Sequence, residues 1–328
     1  MTLTRRILAL GGLLAMATAM TTTPAHAQGN YPQRPIKFIV PFPAGGGTDN
    51  LTRLLGTKLT DAYGWSIVVE NKPGAGGNLA LDQTAKAPAD GLTLVMAQTD
   101  NVVLNPLLYS KLTYNPDKDL RAVALVAAGP AVLVVNADSP YKSLDDIIQA
   151  AKKDPGRLSF ATPGTGTISH IISEAWQKSS NVKFTHVPFR GMAQAMPDLL
   201  GGRIDMYMGS IPTLLSHIQS GKVRAIGVTT ARRSRLLPDV PTYTESGIKG
   251  VELASVWGVM APAATPDAIV RQLNEAINKV VNAPDTAKKI ADSGADLITG
   301  TPEDMAKLYA SDRARLAPIV KSSGTTLD

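Results

Sequence analysis

The chain has 328 residues, a formal net charge of +6 and no cysteine. The lack of cysteine excludes disulfides, thiolate metal sites and cysteine nucleophiles, so a chain of about 300 residues must rest on one or two buried cores. Basic residues are scattered apart from Arg232-Arg233-Ser234-Arg235, and no aromatics are interleaved with them, which argues against a nucleic-acid partner.

Residues 1–27 read as an export signal. Arg5 and Arg6 form a basic start, Ile7 to Met20 is mostly apolar, and Ala25-His26-Ala27 is a small-x-small cleavage signal. Cleavage is expected before Gln28. The apolar run is too short for a stable membrane span, and no later stretch is long and apolar enough for one. Thr4-Arg5-Arg6-Ile7-Leu8 is also compatible with twin-arginine export. Without Arg5 and Arg6 the formal charge falls to +4, a modest excess that mildly attracts small anions.

Ile36 to Val40 is an apolar run of strand length, and Leu51, Leu54, Leu55 and Leu59 lie on one face of a following helix. Between them lies Pro41-Phe42-Pro43-Ala44-Gly45-Gly46-Gly47-Thr48-Asp49. Three glycines leave the backbone N–H groups open to a ligand, and the helix start adds partial positive charge. Strand, glycine loop and helix start together suit an anion; a tight turn with no ligand is the plainer reading. Ser66 to Glu70 and Leu92 to Ala97 are further strands, separated by the loop Asn71–Gly77 and a helix from about Asn78 to Lys86. Such alternation predicts a parallel sheet flanked by helices, with ligands outside the carboxyl ends of the strands.

Tyr109 to Leu120 reads as an irregular connection. Val123–Val126 and Ala131–Val135 read as two strands, and Ser143 starts a helix with Asp145 and Asp146 in its first turn. Leu158–Ala161 is a strand that runs into Thr162-Pro163-Gly164-Thr165-Gly166-Thr167-Ile168-Ser169-His170, then a helix carrying Ile171, Ile172 and Trp176. The opening arrangement thus recurs in the second half, now with several hydroxyls. Strands follow at Phe184–Phe189, at Ile204–Met208 (containing Asp205), at Val223–Thr229 and at Val256–Ala261. Helices are expected up to Leu200, over Ile211–Ser220, from about Pro266 to Val281 with Ile269, Leu273, Ile277 and Val280 on one face, and at Asp285–Ala291 and Pro302–Lys321. Arg235–Gly250 reads as a crossover connection.

At Val40–Asp49, Val69-Glu70-Asn71, Gly74–Gly77, Thr162–His170, Phe189-Arg190-Gly191 and Leu200–Asp205 the chain resembles the Bug receptors, the periplasmic solute-binding proteins of tripartite tricarboxylate transporters. The resemblance covers essentially the whole of the chain after the export signal. It implies an α/β, two-lobed type II periplasmic-binding-protein fold, each lobe a mainly parallel sheet flanked by helices, with the ligand cleft between the lobes. Residues 28–127 with 254–328 would form lobe 1, and residues 128–253 lobe 2.

The resemblance also implies a periplasmic receptor that captures a small organic carboxylate, a di- or tricarboxylate or an aromatic acid. It would act as a monomer and deliver the ligand to the membrane subunits of the transporter. No cofactor, metal or catalysis is implied. The alternatives are a ligand-sensing receptor for a two-component system and a secreted hydrolase, though the chain has no G-x-S-x-G.

Carried onto this sequence, the ligand loops are Phe42–Asp49, including Ala44, Gly45, Gly46, Gly47 and Thr48, and Thr162–His170, including Gly164, Thr165, Gly166 and Thr167. Gln98 ends a strand and is placed facing the cleft or in an ordinary loop. Asp49 either accepts backbone N–H bonds that order its loop or reaches the ligand through water. Thr48, Thr165 and Thr167 either cap helices or bind a carboxylate or bridging water. His170 either holds its loop or meets the ligand. Arg190 could pair with a carboxylate bidentately or lie in solvent. Asp205 is placed near the far end of the ligand, or orients loop amides. Met192, Met196, Met206, Met208 and Met260 are assigned to the core.

Overall fold

The computed structural model describes residues 31–327. The expected export signal and its cleavage point before Gln28 lie outside the described residues. From Arg34 on, the chain folds as one unit.

The first half runs β1 (Ile36–Val40), α1 (Gly47–Tyr63), β2 (Ile67–Asn71), α2 (Asn78–Ala85), β3 (Thr93–Gln98) and a short helix α3 (Asn105–Leu108) into a long strand, β4 (Leu120–Asn136). Then come α4 (Leu144–Lys153), β5 (Ser159–Thr162), α5 (Ile168–Ser180), β6 (Thr185–Pro188), α6 (Met192–Leu200), β7 (Met206–Ser210), α7 (Ile211–Gln219) and β8 (Val223–Val228). After a long connection the chain finishes with β9 (Ala254–Pro262), α8 (Asp267–Asn282), α9 (Pro284–Asp292), the two-residue β10 (Asp296–Leu297) and α10 (Pro302–Ser323).

The strands form one continuous path, β2-β1-β3-β9-β4-β7-β5-β6, with β8 and β10 also paired to β4. The outer pairs β1/β2, β1/β3, β5/β6 and β5/β7 are parallel. This follows from their strand–helix–strand connections. Around the middle the pairing turns antiparallel, at β3/β9, β9/β4, β4/β7 and β4/β8. The chain leaves one half along β4 and returns along β9, and an out-and-back passage must run antiparallel. The parallel sheets expected from alternation are therefore the wings of a mixed sheet.

Val123–Val126 and Ala131–Val135 are not two strands but parts of β4. Leu120–Pro130 pairs with β9, whereas Ala131–Asn136 pairs with β7 and β8. Gly129-Pro130 lies between the two apolar runs. Here it marks the point where the strand changes partners, where a residue without an N–H is tolerated.

β1 shows why the wings are apolar. It is flanked on both sides, and Ile36, Phe38, Ile39 and Val40 are all fully buried. α1 buries Leu51, Leu55 and Leu59 and leaves Leu54 partly exposed. It ends at Gly64, whose φ of 69° is the left-handed C-cap that favours glycine. In α8 the buried stripe is Val270, Leu273, Ile277 and Val280, so Val270 takes the place expected of Ile269. Trp176 is fully buried and packs on Phe160, Phe184 and Tyr243. Four of the five methionines assigned to the core are buried; Met192, at the start of α6, is only half-buried.

Candidate functional site

A cavity of about 160 Å³ opens where the two halves of the sheet meet. Its first wall is the loop from Phe42 to Thr48, and its second is Pro163 with Thr167, Ile168 and Ser169. Arg190, Gly191, Met192 and Ala193 close one side. Tyr207, Gly209, Ser210 and Thr213 close another. Gln98, Asp100, Ser255 and Trp257 come from β3, the segment after it, and β9, while Gly129 and Ala131 come from the midpoint of β4.

Four helices begin at this cavity: α1, α5, α6 and α7. Their N-cap residues are Gly46, Thr167, Gly191 and Ser210, and none of the four gives a side-chain cap to its helix. Thr167 and Ser210 have the chemistry to cap, yet their hydroxyls turn elsewhere. Thr167 Oγ1 donates to Gly164 O at 2.8 Å, and Ser210 Oγ shares a 2.8 Å hydrogen bond with Thr213 Oγ1. Of the helices that start away from the cavity, α4 and α10 carry complete capping boxes at Ser143/Asp146 and Thr301/Asp304, whereas α2, α3, α8 and α9 have no side-chain cap either. Each helix start presents N–H groups without intrahelical partners and a partial positive charge. Four such starts around one cavity form a field suited to an anion.

The first loop is held in shape from behind. Asp49 is buried and does not line the cavity. Its Oδ2 accepts from Gly45 N at 2.9 Å and Arg53 Nε at 3.0 Å, and its Oδ1 from Asn71 Nδ2 at 2.9 Å. Burial alone would raise the carboxyl; the hydrogen bonds from Arg53, Gly45 and Asn71 outweigh it and hold the group below its ordinary range. Gly45 sits at φ 81°, a conformation suited to glycine. Gly47 serves a close approach: a Cβ there would lie 3.2 Å from Thr213 Oγ1 and 3.3 Å from Ser210 Oγ.

A buried polar chain joins the two loops. Thr48 Oγ1 donates to Gln98 Oε1 and accepts from Trp257 Nε1 at 2.9 Å. Gln98 Nε2 donates to Asp100 Oδ2, and Asp100 Oδ1 accepts from Ile168 N, the first N–H of α5. Asp100 is 2 % exposed. Burial pushes its carboxyl up, against the pull of the hydrogen bonds from Ile168 and Gln98.

Most of the second loop lies behind the cavity wall. Thr162 is fully buried; its Oγ1 accepts from Gly164 N at 3.3 Å and lies 2.7 Å from His186 Nε2. His170 Nδ1 accepts from Gly166 N at 3.2 Å, and its ring stacks on His186 with centroids 4.0 Å apart. Burial first, then the neighbouring His186, lowers His170 to about 3, and burial lowers His186 to about 4. Both rings are neutral near pH 7. Ser169 and His170 share no hydrogen bond among the described residues; the two ring nitrogens of His170 face Gly166 N and Glu174.

Of the residues expected at the ligand, Phe42, Ala44, Gly45, Gly46, Gly47, Thr48, Gln98, Thr167 and Arg190 line the cavity. Asp49, Thr162, Gly164, Thr165, Gly166 and His170 do not; they sit beside or behind that lining. Asp205 has the structural one of its two expected roles, orienting a backbone amide. It precedes β7 rather than lying within a strand, and β5 pairs with β7 so that Asp205 falls beside Ser159, at the amino end of both. Its Oδ2 accepts from Ser159 N and Oγ, each at 2.8 Å, at the opposite end of these strands from the loop that faces the cavity.

Asp100, Tyr207, Ser210, Thr213, Ser255 and Trp257 were not anticipated. Ser210-Ile211-Pro212-Thr213 carries a readable signal, a serine followed by a proline in the first helical turn. Trp257 reaches the cavity only because it pairs with Gln98 in the β3/β9 register.

A two-lobed α/β body with an anion-suited cleft between its halves defines a solute-binding receptor of the periplasmic-binding-protein type. The chain belongs to the family described as tripartite tricarboxylate transporter family receptor, TctC, whose model matches residues 51–325. It is 35% identical to Protein BugT of Bordetella pertussis over 98% of both chains. Among solved structures it is similar to R. palustris Rpa4515 with adipate, with a TM-score of 0.88 and 33% identity over 90% of this chain and 99% of that one. It is also similar to MatC (Rpa3494) from Rhodopseudomonas palustris with bound malate, with a TM-score of 0.83 and 31% identity over 88% of this chain and 100% of that one.

Proposed function

We propose that this receptor captures a small organic carboxylate in the cavity and delivers it to the membrane subunits of a tripartite tricarboxylate transporter. The observation that carries the reading is the convergence on one cavity of four helix starts, none capped by the side chain of its own N-cap residue. One carboxylate lies between the starts of α1 and α5, facing the backbone of Gly46 and Thr48 on one side and Ser169 on the other, since the Gly47 and Ile168 N–H groups are already given to Thr213 and Asp100. Arg190, exposed at the rim, meets a second carboxylate. Asp49, Thr162 and His170 keep the two loops in shape. The solved relatives with adipate and with malate support a dicarboxylate.

The lobes divide as residues 28–127 with 254–328, and residues 128–253. The change of partners on β4 at Pro130/Ala131 supports that boundary. Closure of the lobes removes water from the cavity and strengthens each polar contact inside it. The protein acts in the periplasm after cleavage near Ala27.

A thermal-shift screen of protein stripped of carried-over ligand by unfolding and refolding tests the reading. The panel holds aliphatic and aromatic mono-, di- and tricarboxylates, amino acids, sugars and phosphate. A ligand bound only by the folded state raises the melting temperature by mass action. A rise with a carboxylate subset is expected; a rise with sugars or phosphate alone overturns the assignment.

A further inference from the structure

Most hydroxyls on the cavity wall are bonded within the protein. Thr48 is bonded to Gln98 and Trp257, Thr167 to Gly164 O, and Ser210 and Thr213 to each other. Tyr207 is different. It lines the cavity, is 1 % exposed, and its hydroxyl has no hydrogen-bond partner among the described residues. The buried phenols of Tyr114 and Tyr309, by contrast, are bonded to Asn101 O and Val256 O. The Tyr243 hydroxyl also lacks a partner, but it is sealed in the core beside Trp176; that of Tyr207 is not enclosed in this way. Ser169 and Ser255 share the cavity wall, yet a serine hydroxyl turns about one bond, whereas the ring fixes the place of a phenol oxygen.

Tyr207 pairs with Val134 of β4 and Ala161 of β5, and its ring belongs to the apolar cluster of this half of the molecule. The ring lies along its own strand over Gly209. A Cβ at position 209 would fall 2.9 Å from Tyr207 Cε1 and 3.6 Å from its hydroxyl oxygen. The hydroxyl is thereby carried towards the carboxyl end of β7, where α7 begins and where ligands of parallel strands bind. That end touches the start of α1: Thr213 takes the Gly47 N–H, and Ser210 Oγ lies 3.3 Å from the place of a Cβ on Gly47. The carboxylate placed between the starts of α1 and α5 has about four acceptor positions. Two of the N–H groups at those starts, of Gly47 and Ile168, are already spent on the protein. Burial pushes the Tyr207 phenol up, so it keeps its proton and remains a donor. We infer that the Tyr207 hydroxyl is a ligand-binding group that donates a hydrogen bond to this carboxylate. The inference rests on the carboxylate reading above and adds to the two loops a donor from β7.

The test is titration calorimetry of the stripped protein with succinate, malate, glutarate and adipate, beside denaturant unfolding without ligand. Tyr207→Phe removes one oxygen and, among the described residues, no protein hydrogen bond. It should weaken the tightest-binding of these acids about tenfold or more, the scale of one hydrogen bond to a charged group. The ligand-free variant should unfold at the same denaturant midpoint as the unchanged protein. Tyr243→Phe, which deletes the sealed hydroxyl, should bind as the unchanged protein does. Gly209→Ala is the second variant: its Cβ forces the Tyr207 ring aside and should also weaken binding. An unchanged affinity in Tyr207→Phe overturns the inference. So does a loss matched by a lower unfolding midpoint, which makes the hydroxyl structural. If Tyr207→Phe does not fold, full affinity in Gly209→Ala overturns it. Failure of the unchanged protein to bind any of the acids overturns instead the carboxylate reading on which the inference rests.

Discussion

Gly47 N donates to Thr213 Oγ1 over 3.2 Å, joining residues 166 positions apart. The contact ties the start of α1, after the glycine loop, to the first turn of α7. Thr213 in turn shares its hydroxyl with Ser210. Two helix starts that would repel as free dipole ends are thus brought together by a hydroxyl that can both accept and donate. Thr213→Val keeps the volume and removes the acceptor. A part-buried N–H is left without its partner, and stability should fall by about 1–3 kcal/mol. Denaturant unfolding of the ligand-free protein measures it.

Gly46 separates a structural glycine from a functional one. Its backbone is extended, and a Cβ there meets only Pro43 O at 3.6 Å, ordinary contact. Gly46→Leu should therefore fold with a near-normal melting temperature, yet place its side chain on the cavity lining and reduce ligand affinity by about a hundredfold or more. An unchanged dissociation constant would remove this loop from the binding site.

Arg190 is a rim cation with no ion pair among the described residues, and its backbone N–H is taken by Gln194 Oε1 at 3.1 Å. Arg190→Ala should weaken dicarboxylates about tenfold or more, with monocarboxylates little changed, because a charge-assisted pair contributes roughly 1.5–3 kcal/mol. Equal loss for both classes, read by calorimetry, would place the second carboxylate elsewhere.

The stacked histidines give the second loop a dependence on acid. His170 and His186 are held neutral, at about 3 and about 4, whereas the unfolded chain titrates near 6.5. Below pH 6.5 the unfolded state binds more protons, so stability falls as pH falls. The loss should begin near pH 6.5, continue to about pH 4 and level off near pH 3. Asp49, whose folded value is depressed, adds a further loss below the ordinary carboxylate range. Melting temperatures from pH 7.5 to 4 check the sign, and His186→Gln should flatten the slope between pH 6.5 and 5.

Much of the fold and part of the site could be read from the chain. β1, α1 and the two loops before α1 and α5 were visible because glycine, threonine and apolar periodicity are local signals. Which of its two expected roles Asp205 takes was not legible, because a sequence does not mark which end of a strand a residue occupies; the β5/β7 register puts it beside Ser159, whose N–H it accepts. Trp257 and Gln98 are neighbours through antiparallel pairing alone, across 159 positions. Asp100 has no local signal around it. Its weight comes from burial and from a donor on a helix 68 positions away, which no local pattern carries.

β4 also has a bearing on ancestry and engineering. Its first eleven residues are the ladder partner of β9, and its last six are that of β7 and β8. Neither half is a self-contained cassette, since each borrows part of one shared strand. Recombining two such receptors to graft one specificity onto another would join cleanly only where the whole of residues 120–136 and its partner β9 descend from the same parent.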